Sequence, residues 1–266
     1  MILVTGANGF VGAKLTACCP DAVACPSLRD ATEEQVRRLV EESGADAIVH
    51  TAAIADIGVC EAHPDDSYRA NVLLPVWLAK AAKGKKLICF SSDQVYGGMP
   101  DEGPYTEETV CPANVYAAHK WEMEQRVLEI APDAVMLRAE WMYDYVAPKP
   151  NYFLNVVNAA STLRFSSRQY RGITYVQEVA DNLQAVLHLP GGSYNFGSET
   201  TLPMFEITKQ FLRLLGKDTP LEDIPPAHNL WMDCEKAARH GVRFRTVEDA
   251  LRQCAADSGL LDAPRP

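Results

Sequence analysis

Three glycines spaced three residues apart follow a short apolar run at the start of the chain. Residues 2–4 (Ile-Leu-Val) have the unbroken apolar character of a strand that is buried on both faces of a parallel sheet. Gly6, Gly9 and Gly12 come directly after this run, and helix-forming residues follow them. A strand, a glycine turn and a helix in this order predict a binding site for the phosphates of a dinucleotide. The alternative is a flexible glycine loop that binds nothing. The strand before the glycines and the helix after them make this alternative the weaker one.

Each glycine of this turn has a physical role. Gly6 permits the tight turn off the strand, Gly9 lets backbone amides approach a pyrophosphate, and Gly12 lets the helix pack closely on the strand. The free N–H groups and the positive dipole end of the helix then face the phosphates. The cofactor-binding residues that we predict in this segment are Gly6, Asn8, Gly9, Phe10, Val11 and Gly12.

Composition excludes several classes of partner. The chain has 266 residues, of which 47% are hydrophobic and 23% charged, and its formal net charge is −10. A charge of this sign repels nucleic acid and anionic membranes. We find no apolar run that reaches the ~18–20 residues needed to span a bilayer, and no basic segment precedes the first apolar run, as a signal peptide would require. We therefore expect a cytoplasmic protein without a nucleic-acid or membrane partner.

The eight cysteines and six histidines do not form a metal-binding pattern. There is no C-x-x-C pair and no histidine at ligand spacing. Cys89 lies inside an apolar run, where a free thiol behaves as a small hydrophobic side chain. We expect reduced cysteines and no metal site.

Strand-like and helix-like segments alternate over the first 150 residues, which predicts an α/β fold with a Rossmann-like, doubly wound parallel sheet. From about residue 150 the alternation loosens and prolines become frequent. We assign residues 1–150 and about 174–189 to a dinucleotide-binding domain, and residues 151–173 and 190–266 to a smaller C-terminal substrate-binding lobe. A ligand is expected in the cleft at the carboxyl ends of the strands.

Three local patterns define helices more closely. Thr32 and Gln35 have the spacing of a capping box at the start of a helix. Continuous helices are predicted over residues 67–83 and over residues 115–130.

The small residues after the third strand, Thr51, Ala52 and Ala53, are placed to contact the cofactor.

Tyr116 and Lys120 lie four residues apart on the second of these helices, so their side chains project from one face. Ser92 ends the strand that precedes this helix. An ammonium beside a tyrosine stabilises the phenolate and lowers the pKa of the phenol. Tyr116 then exchanges a proton with a carbonyl oxygen that Ser92 holds, while Lys120 tunes Tyr116 and bonds the nicotinamide ribose. A pair at this spacing is common on helix surfaces; the glycine turn and the serine at a strand end favour the catalytic interpretation.

These residues resemble the motifs of the extended short-chain dehydrogenase/reductase superfamily, and within it most closely those of the dTDP-4-dehydrorhamnose reductase family. Residues 5–12 match the pattern T-G-x-x-G-x-x-G, and residues 91–96 are similar to S-T-D-x-V-F. Residues 114–120 are similar to the motif N-x-Y-G-x-[ST]-K, and residues 138–141 are similar to the motif R-T-S-W. Similar matches occur at residues 173–176 (P-T-Y-V) and 233–237 (D-x-x-K-A).

The resemblance implies reduction of the C4 keto group of a nucleotide-linked deoxysugar by NADPH or NADH. It implies Ser92, Tyr116 and Lys120 as catalytic residues, with the last two also contacting the cofactor. Substrate phosphates would pair with arginines, and an aromatic ring would pack on the base or sugar. The predicted substrate-binding residues are Asp93, Arg138, Trp141, Phe153 and Arg171; surface ion pairs for the arginines and a core position for Phe153 are the alternatives.

Five residues either depart from the pattern of this family or have a role that the sequence leaves open. Arg29 and Asp30 follow the second strand, where an acid favours a free ribose 2′-OH and an arginine a 2′-phosphate, so NAD and NADP both remain open. His119 replaces a small hydroxyl residue and is expected to point away from Tyr116. Glu140 also replaces a small hydroxyl residue, and it would repel a pyrophosphate if it faced the cleft. Asn71 either orders the active site or is a surface amide.

Two other functions are compatible with the sequence. One is a nucleotide-sugar epimerase or dehydratase of the same superfamily, although Gln94 after Asp93 does not provide the acid pair usual in dehydratases. The other is a non-catalytic NAD(P)-binding regulatory subunit, for which the regulatory subunit of methionine adenosyltransferase is a precedent. Relatives often dimerise, so a homodimer is also expected.

Overall fold

A parallel sheet organises the chain in the computed structural model, which describes residues 1–147 and 149–261. The strands in the described residues are β1 (Ile2–Thr5), β2 (Ala22–Ala24), β3 (Ala47–His50), β4 (Lys86–Ser92), β5 (Val135–Ala139), β6 (Trp141–Tyr143), β7 (Leu163–Phe165), β8 (Ile173–Tyr175), β9 (Gly192–Phe196) and β10 (Leu221–Asp223). The α-helices are α1 (Phe10–Cys18), α2 (Glu33–Glu42), α3 (Ile57–Ala62), α4 (Pro64–Tyr68), α5 (Leu74–Ala81), α6 (Val115–Ile130), α7 (Tyr152–Val157), α8 (Val176–Asp181), α9 (Leu183–Leu187), α10 (Met204–Leu214), α11 (Glu235–Arg239) and α12 (Val247–Asp257).

The main sheet has the strand order β2-β1-β3-β4-β5-β9, and every neighbouring pair is parallel. Helices cover both faces. One face packs against α1, α8 and α9, and the other against α2, α5 and α6. The order reverses between β1 and β3, and ligands of such sheets bind in the crevice at this switch point. The predicted doubly wound α/β fold is therefore confirmed.

The sixth strand, β9, comes from a segment that the sequence assigns to the smaller lobe. It pairs with β5 along its whole length, and Tyr194 and Phe196 pack into the core on the α1 face of the sheet. The segment joins the sheet because its buried aromatic side chains complete that core. Pro148 and residues 262–266 of the predicted division lie outside the described residues.

The smaller lobe has its own apolar core. Aromatic and aliphatic side chains from α7, α10, α12 and the paired strands β6 and β8 form it, and Tyr143 stacks between Phe153 and Tyr175. A second small sheet pairs β7 with β10. Strand β6 of this lobe begins two residues after the end of β5, so the lobe starts at the carboxyl end of a central strand.

Two of the local helix predictions are confirmed and one needs correction. Thr32 and Gln35 make the complete capping box of α2, and α6 spans residues 115–130 as predicted. The helix predicted over residues 67–83 is instead divided into α4, a π-helical turn at Arg69–Leu73, and α5. A π-turn inserts an extra residue into a helix and is frequent at functional sites.

Among residues 1–147 and 149–261, the helices are all too short or too polar to cross a lipid bilayer.

Candidate active site

The glycine turn has the geometry of a phosphate site. Gly6 has a φ of +72°, and a Cβ atom on it would lie 2.6 Å from the backbone nitrogen of Ala52. The Gly9 amide donates to the Gly6 carbonyl at 2.8 Å, which closes the turn. Gly9 is also the N-cap of α1 and supplies no side-chain cap, so the first amides of this nine-residue helix remain available for an anion.

The segment after β3 is held beside this turn by Asn71. Thr51 Oγ1 donates to the carbonyl of Thr5 at 2.8 Å. The Asn71 side chain is fully buried; its amide nitrogen donates to the Ile54 carbonyl at 2.9 Å, and its oxygen accepts from the Ile54 amide at 3.2 Å. Asn71 belongs to the π-helical turn, so it orders the loop that contains Ala52 and is not a surface amide.

The loop after β2 presents a basic and an acidic side chain next to each other. Arg29 and Asp30 are both exposed and lie in the loop that follows the strand, after residues 25–28. Arg69 donates to the carbonyls of Arg29 and Ala31, at 3.3 and 2.7 Å, and so fixes the backbone of this loop. The side chains of Arg29 and Asp30 both remain exposed to solvent.

Ser92, Tyr116 and Lys120 meet at the carboxyl end of β4. Ser92 is the last residue of this strand, and Asn114 caps α6 by accepting from the Ala117 amide at 2.8 Å, which fixes Tyr116 in the first turn. Lys120 Nζ lies 5.9 Å from the centroid of the Tyr116 ring and donates to the carbonyl of Phe90 at 2.8 Å. The predicted catalytic residues are thus adjacent and nearly buried.

The pKa of Tyr116 differs from the expectation based on sequence. Burial raises the pKa of the phenol above its ordinary value; a hydrogen bond with Ser92 lowers it, and the nearby Asp93 raises it. Burial also lowers the pKa of Lys120 to about 8, against the opposing effects of Cys89, Glu124 and Cys60. Burial is the largest effect on the phenol, and its pKa is raised even though the Lys120 ammonium lies nearby. Tyr116 is therefore a protonated acid at neutral pH.

His119 points away from the site, as predicted. Its Nδ1 lies 2.9 Å from Ser67 Oγ, and its ring makes an edge contact with Tyr68 at 5.3 Å between centroids. It joins α6 to α4 and leaves the face that carries Tyr116 and Lys120 unobstructed.

Three of the predicted substrate residues lie together beside Ser92. Asp93 accepts from Ser92 Oγ at 3.0 Å and from Arg171 Nη2 at 3.0 Å. The Arg171 guanidinium lies 5.5 Å from the centroid of the Trp141 ring, and 39% of Trp141 is exposed. Burial raises the pKa of Asp93, while Arg171 and Ser92 lower it. The cluster offers a cation and an aromatic surface to a ligand.

Arg138 and Phe153, the other predicted substrate residues, lie in the core. Arg138 is 1% exposed, makes a bidentate ion pair with Glu124 at 2.8–3.2 Å, and donates to Tyr96 Oη at 2.8 Å. The guanidinium of Arg138 has its hydrogen-bond partners inside the protein and does not face the cleft. Its ion pair with Glu124 is buried and is not a surface ion pair. Phe153 is also 1% exposed and stacks on Tyr143, so its core interpretation holds.

Glu140 does not face the cleft as a free charge. It follows β5, is 7% exposed, and accepts from Thr174 Oγ1 at 2.8 Å. Its carboxyl group fills the space that Gly172 and Gly197 leave open, since a Cβ atom on either glycine would overlap it. Sequence reasoning missed these two glycines and Thr174 because they lie 32 or more residues away from Glu140; the only signal was the replacement of a small residue by a large acid.

The fit between Glu140 and Gly197 gives a stability prediction. Gly197→Ala should lower the unfolding free energy by about 1–3 kcal/mol, because the new methyl group overlaps the Glu140 carboxyl. In a Glu140→Ala background the same change should cost much less. Chemical denaturation of the four proteins measures the coupling, and additive effects would contradict the proposed contact. Gly192→Ala does not serve as a control because Gly192 has a φ of +137°.

Comparison with known proteins matches most of the chain to one family model and about half of it to a named reductase. A family model described as "RmlD substrate binding domain" matches residues 1–256. dTDP-4-dehydrorhamnose reductase of Mycolicibacterium smegmatis is 34% identical over 155 residues, which are 53% of this chain and 46% of that protein. The match thus spans about half of that relative's length.

Two further comparisons concern more of the chain. Methionine adenosyltransferase 2 subunit beta of Xenopus tropicalis is 28% identical over 237 residues, which are 79% of this chain and 70% of that protein. The crystal structure of dTDP-4-dehydrorhamnose reductase from Bacillus anthracis in complex with NADP has a TM-score of 0.85 and 21% identity, and the alignment covers 96% of this chain and 98% of that one. The fold, the site and the match to residues 1–256 lead to one conclusion. The chain belongs to the RmlD substrate binding domain family, within the extended short-chain dehydrogenase/reductase superfamily.

Proposed function

We propose that the protein is an NAD(P)H-dependent reductase of the C4 keto group of a nucleotide-linked deoxysugar, as in dTDP-4-dehydrorhamnose reductases. The observation that carries the proposal is the adjacency of Ser92, Tyr116 and Lys120 at the carboxyl end of β4. Membership of a family that contains such reductases supports it.

The residues of the cofactor cleft fit a dinucleotide. The amides at the start of α1 would hold the pyrophosphate, and Thr51, Ala52 and Ala53 would line its path beside Gly6. Arg29 and Asp30 would flank the adenosine ribose. When bound, a reduced nicotinamide supplies the hydride.

The chain's own residues supply the proton and its control. Tyr116 is protonated at neutral pH because burial raises its pKa, so it can donate to the oxygen of a keto group. The Ser92 hydroxyl holds the same oxygen by turning its hydrogen from Asp93 to the substrate. The Lys120 ammonium, 5.9 Å from the Tyr116 ring centroid, stabilises the phenolate that proton donation leaves behind.

Substrate recognition falls to the cluster beside Ser92. Arg171 has a side chain 16% exposed and is held by Asp93, and Trp141 presents an aromatic face next to it. An arginine fixed in this way can pair with a phosphate of the nucleotide. The apolar surface of Trp141 can pack on the sugar.

The decisive experiment measures nicotinamide oxidation with a dTDP-4-keto-6-deoxy sugar. NADPH and NADH are tested separately, and their absorbance reports turnover. Tyr116→Phe should lower kcat by a factor of about 10²–10⁴, because it removes only the proton donor. Tyr194→Phe is the matched control: it removes a tyrosine hydroxyl that donates to the Pro190 carbonyl at the amino end of β9, away from Ser92. It should retain turnover.

Two outcomes would replace the proposal. Tight cofactor binding without turnover on any keto sugar would favour a non-catalytic subunit, for which the similarity to methionine adenosyltransferase 2 subunit beta is the motivating observation. Conversion of one nucleotide sugar into its epimer, without net oxidation of NAD(P)H, would favour the epimerase function.

A further inference from the structure

A buried acid lies beside the proposed active site and takes no part in the chemistry described above. Glu140 comes directly after β5, and its carboxyl group is enclosed between Gly172, which precedes β8, and Gly197, which follows β9. Two separate segments thus each have a glycine, which has no side chain, where they contact the carboxyl group. The space fits the carboxyl group, and the acid is an integral part of this wall of the cleft.

The hydrogen bonds at Glu140 leave Arg171 to another partner. Thr174 Oγ1 donates to Glu140 Oε2 at 2.8 Å, and the Ser198 amide donates to Thr174 Oγ1 at 3.1 Å. The Arg171 guanidinium instead pairs with Asp93 at 3.0 Å. Asp93 in turn accepts from Ser92. Glu140 lies near enough to Arg171 and Asp93 for both of their charges to act on its carboxyl group.

The charges around Glu140 explain why Arg171 stays with Asp93. The groups that face its carboxyl are Asp93 after β4, Arg171 before β8 and the Cys234 thiol before α11. Two ionised carboxylates and one guanidinium would leave a net negative charge in a buried place, which is costly. Burial, the largest effect, raises the pKa of Glu140 to about 8, and Asp93 raises it further, while Thr174, Arg171 and Ser198 lower it. At neutral pH the acid is uncharged.

We propose that Glu140 is a positioning residue whose neutral carboxyl leaves Arg171 paired with Asp93, so that the Ser92 hydroxyl is free to turn to the substrate oxygen. Arg171 offsets the charge of Asp93 and thereby weakens the hold of that carboxylate on the Ser92 hydrogen. Ionised Glu140 competes for Arg171. Asp93 then binds Ser92 more strongly and raises the pKa of Tyr116 further, so proton donation slows. This inference rests on the proposed reductase function.

Glu140→Gln tests the inference, because it keeps the shape and hydrogen bonding of the side chain but cannot ionise. The quantity to follow is the ratio of kcat for the variant to kcat for wild type, in which the titration of Lys120 cancels because both proteins share it. The ratio should be near one at about pH 6.5 and rise several-fold, to about tenfold, by about pH 9.5. A constant ratio would overturn the inference.

Two further variants distinguish positioning from a structural role. Thr174→Val removes a hydrogen bond that favours the ionised carboxyl, so its activity ratio should also rise with pH. Glu199→Gln is the matched control: Glu199 accepts from the Cys234 amide at 3.1 Å on the neighbouring segment, and its ratio should stay constant. If the Glu199 ratio rose equally, the effect would be a general response to lost negative charge and the inference would fail.

Thermal unfolding separates failure of the inference from failure of the proposed function. The unfolded chain ionises Glu140 near its ordinary pKa of 4.5, whereas the folded chain retains the proton up to about pH 8. The stability that this group contributes is therefore lost as pH rises through that window. The unfolding temperature of wild type should fall relative to that of Glu140→Gln over the same range. If wild type shows no turnover at any pH, the proposed function is wrong. If the difference in unfolding temperature between wild type and Glu140→Gln does not change with pH, the inference that Glu140 is neutral is wrong.

Discussion

Glu124→Ala is expected to lower the unfolding free energy by about 3–5 kcal/mol, because it leaves the buried Arg138 guanidinium without its carboxylate. Glu124 is fully buried on α6 and accepts from Arg138 on β5 at 2.8 Å. It also accepts from Ser91 on β4 at 2.5 Å and from Ser193 on β9 at 2.7 Å. One carboxylate thus joins a helix to three neighbouring strands of the sheet.

The helix offers its own control for this experiment. Glu122 pairs with Arg126 on the same helix at 3.2 Å, with side chains 40% and 37% exposed, so Glu122→Ala should cost less than about 1 kcal/mol. In the double variant Glu124→Ala/Arg138→Met the buried charge is gone, and much of the lost stability should return. Chemical denaturation measures all four proteins. If Glu124→Ala and Glu122→Ala lost equal unfolding free energy, the buried ion pair would stabilise the fold no more than the exposed one.

Lys120→Met is expected to change stability and activity in opposite directions. Burial lowers the pKa of Lys120 to about 8 from its ordinary value of 10.5, and its ammonium group donates to the Phe90 carbonyl. The unfolded chain therefore binds this proton more strongly between these two pH values. The stability that this group contributes is complete above about pH 10.5 and is lost as pH falls to about 8.

At pH 7 the variant should be more stable than wild type by about 1–3 kcal/mol, since each pKa unit corresponds to about 1.4 kcal/mol and the lost hydrogen bond offsets part of the gain. Its turnover on a keto sugar should fall about 100-fold or more, because the Tyr116 phenolate then loses the nearby positive charge that stabilises it. The advantage in unfolding temperature should shrink as pH approaches 10.5.

Lys86→Met is the matched control for this second experiment. Lys86 also donates to backbone carbonyls, those of Asp133 and Leu189, but lies at the amino end of β4 and is less buried. It should retain turnover and change stability by about 0.5 kcal/mol or less. If Lys120→Met lost stability at pH 7, the ammonium would be a net stabilising group and its burial would not be a cost.

Much of the fold could be predicted because its signals are local. The apolar run before Gly6 and the glycine spacing after it define β1, the turn and the start of α1. Thr32 and Gln35 form the predicted capping box, because their interaction spans only three residues. The π-helical turn around Asn71 was not predictable, since its extra residue depends on the contacts of Asn71 with the Ile54 backbone.

The candidate site was predictable where its residues share an element or end neighbouring strands. Tyr116 and Lys120 meet because they are four residues apart on α6, and Ser92 meets them because β4 ends beside that helix. The predicted lowering of the Tyr116 pKa did not hold. Spacing shows that an ammonium is near, but only the structure shows that Lys120 bonds the Phe90 carbonyl and that burial dominates.

The sequence alone therefore determined the phosphate turn and the Tyr116–Lys120 pair, because each follows from spacing within a few residues. It also determined the sheet class, because the alternation of strands and helices can be read along the chain. Only the tertiary structure decided which of its charged side chains are buried and which groups they contact. Arg138 is a core residue because Glu124 lies opposite it in space, and Glu140 is enclosed because Gly172 and Gly197 approach from distant segments. The free energy of a charged group depends on what surrounds it in three dimensions, and that surrounding is assembled only when the chain folds.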